Sequence, residues 1–183
     1  MAWIKTNFKG VWTFEPKIWK DQRGYFIESF NISSLPVELK KIDFKQDNEA
    51  KSTRGVLRGL HYQLPPNAQS KLVRCVTGEI LDIIVDIRPD SDTFGKYLSV
   101  ILNEINKKQL FVPSGFAHGY VVLSETAIVS YKCDHFYDPL AEGGLKYNDP
   151  TMGINWILSN EQLVISEKDT NLPVFGEHKT FVV

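Results

Sequence analysis

The stretch from residue 80 to residue 88 is the feature that most limits what this chain can fold into. Apolar and charged side chains alternate along it. On an extended strand, one face carries Leu81, Ile83, Val85 and Ile87, and the other carries Asp82, Asp86 and Arg88. A period of two is typical of a β-strand that covers a core with one face. The segment 77–79 before it predicts a tight turn that folds this strand back on residues 71–76.

Further short segments rich in β-branched and aromatic residues follow one another, separated by Gly, Pro, Asn and Asp. We predict strands over residues 11–18, 25–30, 44–48, 56–63, 97–102, 109–112, 120–123 and 126–131. Helix is scarce: residues 33–42 predict one or two turns with a serine cap before Leu35, and the segment after Ser159 predicts another short helix. This pattern indicates a single all-β domain over residues 1–183, a sandwich or barrel, with the first 45 residues and the tail after Asp149 packed around it.

Composition excludes several classes of protein. Of the 183 residues, 43% are hydrophobic and 23% are charged, with a formal net charge of -1. Such a chain has enough apolar surface for a core and lacks the broad basic surface that nucleic-acid binding requires. No apolar run approaches the roughly 20 residues that cross a bilayer, and the first residues lack the plan of a signal peptide. Two distant cysteines, Cys75 and Cys133, are expected to be small buried side chains in a reducing compartment, so we expect a cytoplasmic protein.

Two segments carry the residues that indicate chemistry. They are 54–63, Arg-Gly-Val-Leu-Arg-Gly-Leu-His-Tyr-Gln, with Lys71 after it, and 113–119, Pro-Ser-Gly-Phe-Ala-His-Gly. On a regular strand, one face carries Gly59, His61 and Gln63, and the other carries Arg58, Leu60 and Tyr62. Glycine beside histidine or arginine leaves room for a ligand to approach the backbone. The residues alone leave a second interpretation open with about equal weight, in which Gly55 and Gly59 mark bulges and His61 is a hydrogen-bonded core histidine.

The Pro-x-Gly-x-x-His pattern at 113–118 resembles the second motif of the cupins, which are small β-barrels. The first cupin motif normally supplies His-x-His and a later Glu to a metal ion, and His61-Tyr62-Gln63 stands in that place here. One imidazole, one amide and the nearby Lys71 make a poor ligand set for a divalent cation. We therefore expect a barrel with no metal and no other cofactor, in which imidazole and ammonium groups are available for acid–base chemistry.

A closer resemblance extends over nearly the whole chain. Its blocks lie, in order, at residues 21–30, 44–48, 55–61, 71–75, 113–119, 131–132, 137–142 and 166–169. Together they resemble the dTDP-4-dehydrorhamnose 3,5-epimerase family of rhamnose biosynthesis. The resemblance implies a cupin-type jelly-roll β-barrel with short peripheral helices. It also implies an enzyme that inverts C3 and C5 of dTDP-4-dehydro-6-deoxy-D-glucose to give dTDP-4-dehydro-β-L-rhamnose.

Inversion next to a ketone needs a base on one face of the carbon, an acid on the opposite face and a cation near the developing enolate. The resemblance implies that His61 is the base and Tyr131 the acid. It also implies that Lys71 stabilises the enolate and that the Asp169 carboxylate forms a hydrogen bond with His61. The residues alone leave structural alternatives for three of them: a surface pair of Asp169 with Lys168, an ordinary core role for Tyr131, and a Lys71 ammonium that reaches solvent.

The resemblance also implies a set of substrate-binding residues. Its diphosphate partners are Arg23, Arg58 and His118, since a guanidinium matches phosphate oxygens with two hydrogen bonds. The residues expected near thymine and deoxyribose are Glu28, Gln46, Asp47 and Asn48. Tyr137 is expected to stack on the base, and the set is completed by Glu142, Lys168 and Lys71. From the residues alone, Glu28 and Glu142 also fit solvated surface charges, and 137–139 fits a turn.

The resemblance further implies a homodimer in which an N-terminal strand crosses to the partner's sheet.

Three other functions stay open at this point. The nearest is a mono-epimerase that inverts only C3 or only C5 of a dTDP-4-keto-6-deoxysugar in another pathway. A non-catalytic sugar-nucleotide-binding cupin is expected to lack His61 or Tyr131, and a metal-dependent cupin oxygenase or isomerase is expected to lose activity to a chelator. His135 and His178 match no motif and are expected to be structural or exposed.

Overall fold

The computed structural model describes residues 1–182, and β-strands dominate it. The strands are β1 (Ala2–Lys5), β2 (Trp12–Glu15), β3 (Ile18–Asp21), β4 (Gly24–Ile27), β5 (Gln46–Thr53), β6 (Val56–Gln63), β7 (Lys71–Thr77), β8 (Glu79–Asp86), β9 (Tyr97–Asn103), β10 (Gln109–Val112), β11 (Phe116–Val122), β12 (Thr126–Cys133), β13 (Glu142–Gly144) and β14 (Val164–Ile165). A short helix, α1, spans Glu167–Thr170, and 3-10 turns lie at Ile32–Ser34, Val37–Leu39 and Asn160–Gln162. In this part of the chain, no helix is long and apolar enough to span a membrane. The all-β prediction, with short peripheral helices, is confirmed.

Two sheets face each other across the main core. The first, which we call the β7 sheet, has the order β1-β2-β10-β7-β12-β5, and the second, the β8 sheet, has the order β13-β6-β11-β8-β9, with β14 parallel to β6. Both contribute to one apolar cluster, which includes Val73 and Val129 from the β7 sheet and Ile80, Ile84 and Val122 from the β8 sheet. The core of the barrel therefore lies between the sheets.

The turn at 77–79 does not form the predicted hairpin. β7 pairs with β10 and β12, whereas β8 pairs with β9 and β11, so the turn carries the chain from one sheet to the other. Gly78 has a φ of +78°, which glycine adopts without steric cost. The prediction was wrong because a turn signal indicates that the chain reverses and does not decide whether the two strands pair side by side or face each other across a core.

The alternation in residues 80–88 is confirmed, but its charged face is buried as well. The apolar face of β8 packs in a second cluster with C-terminal residues, among them Leu145, Met152, Trp156 and Phe181. On the opposite face, Asp82 and Asp86 are both 0% exposed. The strand is buried on both sides because the C-terminal segment covers the outer face of the β8 sheet.

Several element boundaries differ from the predicted ones. The strands at 56–63 and 109–112 lie where they were predicted, whereas 44–48 is replaced by β5 and 120–123 begins four residues earlier in β11. The segment 11–18 divides between β2 and β3 around Pro16, which has no amide hydrogen to donate. Residues 33–42 form two 3-10 turns, and the first is capped by Asn31 rather than by a serine. The short helical segments after Ser159 are confirmed.

An irregularity in β6 positions the site. His118 of β11 lies opposite His61, but Tyr120 lies opposite Arg58, so β6 contains one extra residue between these pairs. Gly59 occupies this bulge with a φ of +128°, and a Cβ there would lie 2.6 Å from the Cα of Gly119. The bulge predicted as an alternative is therefore present. Because of it, Arg58 and His61 line the same cavity, whereas a regular strand would place them on opposite faces.

Candidate active site

A cleft lies between the two sheets and is bordered by β14 and α1. Its first chamber has a volume of about 500 Å³, and its polar lining consists of Arg58, His61, Lys71, His118, Tyr120, Tyr131, Ser166, Lys168 and Asp169. A second chamber of about 270 Å³ shares His61, Lys71 and Tyr131 with the first. Its other polar residues are Gln46, Asn48, Tyr62, Gln63, Gln69, Tyr137 and Glu142. The cleft thus brings together most of the residues that the sequence singled out.

His61 forms a hydrogen-bonded pair with Asp169. The His61 Nε2 atom lies 2.7 Å from Asp169 Oδ1, and the Gly59 amide donates to Asp169 Oδ2 over 3.2 Å. Asp169 lies in α1, where its own amide donates to the capping hydroxyl of Ser166, and it is 4% exposed. A surface pair with Lys168, the structural alternative for this carboxylate, does not form, since Lys168 bonds to Glu142.

The electrostatics of this pair decide which nitrogen of His61 is available. Burial acts to raise the pKa of Asp169, but the hydrogen bonds from His61 and the Gly59 amide outweigh it and hold the pKa below its usual range. Asp169 therefore stays a carboxylate and accepts an N–H from Nε2. The other nitrogen, Nδ1, makes no hydrogen bond to residues 1–182, and it carries the lone pair in the tautomer that donates from Nε2. That nitrogen can take a proton from a molecule in the cleft.

Tyr131 and Lys71 reach the cleft from the sheet that faces His61. His61 is on β6 of the β8 sheet, whereas Lys71 and Tyr131 are on β7 and β12 of the β7 sheet. Burial raises the pKa of Tyr131, so its phenol keeps its proton at neutral pH. Burial also lowers the pKa of Lys71, while the negative charges of Asp82 and Glu142 act in the opposite direction. The Lys71 Nζ atom lies 5.9 Å from the centre of the Tyr131 ring, so a cation and a proton donor are neighbours.

A second histidine–aspartate pair lies beside the first, and its carboxylate was not among the predicted site residues. The His118 Nε2 atom lies 2.9 Å and 3.1 Å from the two carboxylate oxygens of Asp82. Both side chains are buried, His118 with 7% exposure. A signal for Asp82 was present, since Ile80 and Ile84 stand two positions to either side on β8 and mark its face as part of the core. A carboxylate on such a face needs a partner inside the protein.

Polar residues of the second chamber form a connected set. Gln46 donates to Asn48 Oδ1 over 3.0 Å and accepts the Tyr137 amide over 3.0 Å. Glu142 Oε2 accepts the Tyr137 hydroxyl over 3.1 Å and the Lys168 ammonium over 2.6 Å. The Tyr137 side chain remains 54% exposed, so a face of its ring is accessible for stacking.

Three predicted binding residues line neither chamber of this chain: Arg23, Glu28 and Asp47. Arg23 is at the turn of the separate β3–β4 hairpin, where its side chain is 85% exposed and bonds to Asp21. Asp47 lies between two residues of the second chamber on β5, so strand alternation turns it away, and it accepts the Lys132 ammonium over 2.8 Å. Glu28 follows the end of β4.

The chemistry of the cleft is that of proton transfer. An imidazole, a phenol and an ammonium group share the first chamber, and together they can remove and return a proton on carbon next to a carbonyl group. Among residues 1–182, no group of three or more His, Cys, Asp or Glu side chains is arranged to hold a metal ion. Cys75 and Cys133 are buried free thiols, as predicted.

Comparison with known proteins gives a consistent result. The family described as dTDP-4-dehydrorhamnose 3,5-epimerase matches residues 5–177. A dTDP-4-dehydrorhamnose 3,5-epimerase from Shigella flexneri is 48% identical over 180 residues, which cover 98% of each chain. The crystal structure of a dTDP-4-dehydrorhamnose 3,5-epimerase from Elizabethkingia anophelis is similar with a TM-score of 0.90 and 47% identity, covering 96% of both chains. That of a dTDP-6-deoxy-D-glucose-3,5-epimerase from Legionella pneumophila, in complex with dTDP-4-keto-L-rhamnose, has a TM-score of 0.88 and 44% identity, covering 94% of this chain and 92% of the other. These similarities confirm the cupin-type fold.

Proposed function

The chain belongs to the dTDP-4-dehydrorhamnose 3,5-epimerase family and has the 3,5-epimerase activity of that family in dTDP-rhamnose biosynthesis, and we propose how its cleft catalyses the epimerisation. The hexose of a dTDP-linked 4-keto-6-deoxy sugar lies in the first chamber, and the thymidine lies in the second. His61, supported by Asp169, removes a proton from one face of C3 and of C5, and Tyr131 returns a proton to the opposite face. One observation carries this proposal: His61 and Tyr131 project from two facing sheets with the cleft between them.

Proton removal begins the reaction. A hydrogen on carbon next to a ketone is acidic because its loss gives an enolate. His61 Nδ1 takes this proton, the electron pair of the C–H bond forms the C=C bond of the enolate, and the π electrons of the C4 carbonyl group move onto its oxygen. The imidazolium that forms is stabilised by the Asp169 carboxylate, which already accepts a hydrogen bond from Nε2.

Proton return completes the inversion. The Lys71 ammonium stabilises the enolate oxygen, since a positive charge placed where negative charge develops favours the transition state. Tyr131 then donates its proton to the face opposite His61, and the ketone re-forms. The phenolate and the imidazolium return to their starting states through exchange with water, so each inversion introduces one solvent proton. The same groups act on the second carbon.

The binding residues fix the rest of the substrate. Arg58 and His118 bind the diphosphate, because both reach the first chamber next to the reacting groups. In the second chamber Tyr137 stacks on thymine, and the edges of the nucleoside are bound by Gln46, Asn48 and Glu142. Lys168, which lines the first chamber, completes the binding set and forms an ion pair with Glu142.

Three predicted binding residues lie outside the cleft of their own chain, so they can bind substrate only in the cleft of a partner subunit, as part of a homodimer. They are Arg23, Glu28 and Asp47. A second copy can bring the exposed β3–β4 hairpin, and Arg23 with it, to this cleft. The test is to co-express Arg23→Ala and His61→Asn subunits, each poorly active alone. If Arg23 acts on the partner's cleft, hybrid dimers contain one intact site and activity returns. Mixed subunits that stay as inactive as the parents would contradict this arrangement.

The proposed chemistry is tested by proton NMR with dTDP-4-dehydro-6-deoxy-D-glucose in deuterium oxide. We expect deuterium at both C3 and C5 with the wild-type protein, loss of exchange with His61→Asn, and loss of inversion at both carbons with Tyr131→Phe. His135→Asn serves as the matched control, since this half-exposed histidine also contacts an aspartate, Asp134, but lines neither chamber. Exchange at only one carbon would indicate a mono-epimerase, and full exchange with His61→Asn would remove His61 from the mechanism.

A further inference from the structure

Tyr120 carries a hydroxyl group that the proposed mechanism does not use. The residue is on β11, lines the first chamber and is 4% exposed. Its hydroxyl is buried and makes no hydrogen bond of ordinary geometry within residues 1–182, although the Ser52 hydroxyl, which already accepts from Arg58, lies near it. Buried hydroxyl groups in folded proteins are nearly always hydrogen-bonded, because losing water without gaining a partner is unfavourable. An orphaned hydroxyl in a ligand-sized cavity therefore points to a partner supplied by the ligand.

The surroundings of Tyr120 define the chemistry of that partner. Arg58 lies opposite it across the β6–β11 pair and donates from Nε to the Ser52 hydroxyl over 3.2 Å. Burial raises the pKa of Tyr120 to about 12, and the nearby Arg58 and Ser52 oppose this only in part. Tyr120 is therefore a neutral phenol across the working pH range, and it can donate one hydrogen bond to an oxygen atom.

The position of Tyr120 selects the part of the substrate. It lines the first chamber together with His61, Lys71 and Tyr131, and it does not line the second chamber, where Gln46, Asn48 and Tyr137 lie. The apolar wall of the same chamber includes Ala50, Val56, Leu57, Val164 and Ile165. In the proposed function, the charged oxygens of the diphosphate already have partners in Arg58 and His118. A neutral donor against an apolar wall suits a neutral oxygen, such as a hydroxyl or ring oxygen of a sugar.

We propose that the Tyr120 hydroxyl donates a hydrogen bond to an oxygen of the hexose, which makes Tyr120 a further residue that determines specificity for the sugar. This inference rests on the proposed placement of the hexose in the first chamber. Tyr120 acts on binding and takes no part in moving protons, so its loss weakens binding of the hexose and leaves the chemical step in place.

The test compares two ligands that do not react, dTDP and dTDP-glucose, by titration calorimetry. In dTDP-glucose a C4 hydroxyl replaces the ketone, so the neighbouring C–H groups are not acidic. For Tyr120→Phe we expect about 3- to 10-fold weaker binding of dTDP-glucose, the usual effect of one lost hydrogen bond, and an unchanged Kd for dTDP. The KM for the keto sugar rises by a similar factor while kcat stays within about threefold. Tyr97→Phe is the control, because Tyr97 packs outside the barrel core and lines neither chamber.

Two results would overturn the inference. Equal weakening of dTDP and dTDP-glucose would assign the hydroxyl to the diphosphate. Unchanged binding of both, with a lower Tm for Tyr120→Phe, would assign it to an internal hydrogen bond with Ser52. Neither binding measurement depends on turnover, so failure of this inference is distinct from failure of the proposed chemistry, which the deuterium experiment on the wild-type protein detects.

Discussion

The cleft contains two histidine–aspartate pairs that resemble each other in contact and differ in setting. The His61 side chain is 29% exposed to the cleft, and its carboxylate comes from α1, 108 residues later in the chain. His118 is 7% exposed, and its carboxylate, on Asp82, comes from β8, the strand hydrogen-bonded to β11. One pair joins a strand to a peripheral helix, whereas the other lies wholly inside one sheet.

This difference shows that the same two side chains suit different tasks. A histidine that exchanges protons must meet both its substrate and water, and the His61 pair has that access. A histidine that holds an anionic group needs a fixed position more than access, and the buried His118 pair provides it. We therefore propose that His61 with Asp169 transfers protons and that His118 with Asp82 positions the substrate.

The largest difference between the two pairs is expected when each histidine is replaced by asparagine. For His61→Asn we expect kcat to fall by about 10³-fold, because a general base is lost. For His118→Asn we expect KM to rise by about 10-fold, with a smaller change in kcat, because a hydrogen bond to a charged group is lost. Steady-state kinetics on both variants provide the measurement. A fall in kcat of the same size at His118 would contradict the division of tasks.

Replacing the carboxylates by amides should reproduce the same division with smaller effects. Asp169→Asn removes the charge that stabilises the His61 imidazolium, and we expect kcat to fall by about 10²-fold with KM nearly constant. Asp82→Asn loosens His118, and we expect KM to rise by about 10-fold. Near-UV circular dichroism of both proteins controls for misfolding. A KM defect in Asp169→Asn, without loss of kcat, would assign Asp169 to binding.

The alkaline side of the pH profile gives the smallest and most selective effect. Burial lowers the pKa of Lys71, and the negative charges of Asp82 and Glu142 partly offset this, whereas Asp169 is not among these groups. Without the Asp82 charge, the pKa of Lys71 falls further, so Lys71 loses its proton at a lower pH. We expect the alkaline loss of kcat to move to lower pH in Asp82→Asn and to stay in place in Asp169→Asn. A shift of equal size in both variants would show that Lys71 does not distinguish the two carboxylates.

Much of the fold follows from local sequence signals. Strand β6 and its neighbours could be located because β-branched and aromatic residues alternate between turn residues. Which strands pair with each other could not be predicted in the same way. The turn at Gly78 connects two facing sheets, and only contacts between residues distant in sequence determine to which sheet each strand belongs. The alternation of side chains along β6 does not reveal the bulge at Gly59. One extra residue there changes which side chains share a face before and after it.

The site was predictable from the residues only in part. His61, Lys71 and Arg58 stand in segments whose composition already indicates chemistry, whereas the contact of Asp169 with His61 spans 108 residues and came from resemblance alone. Asp82 was missed because a charged residue on an alternating strand is normally assigned to the solvent face. The orphaned hydroxyl of Tyr120 has no sequence signal, since burial without a partner is a property of the folded chain.

The most direct test of this division is a double-mutant cycle on kcat/KM with Asp169→Asn, Asp82→Asn and the variant that carries both. If one pair transfers protons and the other positions the substrate, the two losses multiply, and the double variant falls by about 10³-fold. A double variant no worse than Asp169→Asn alone would show that both pairs act as one unit, which would contradict the account.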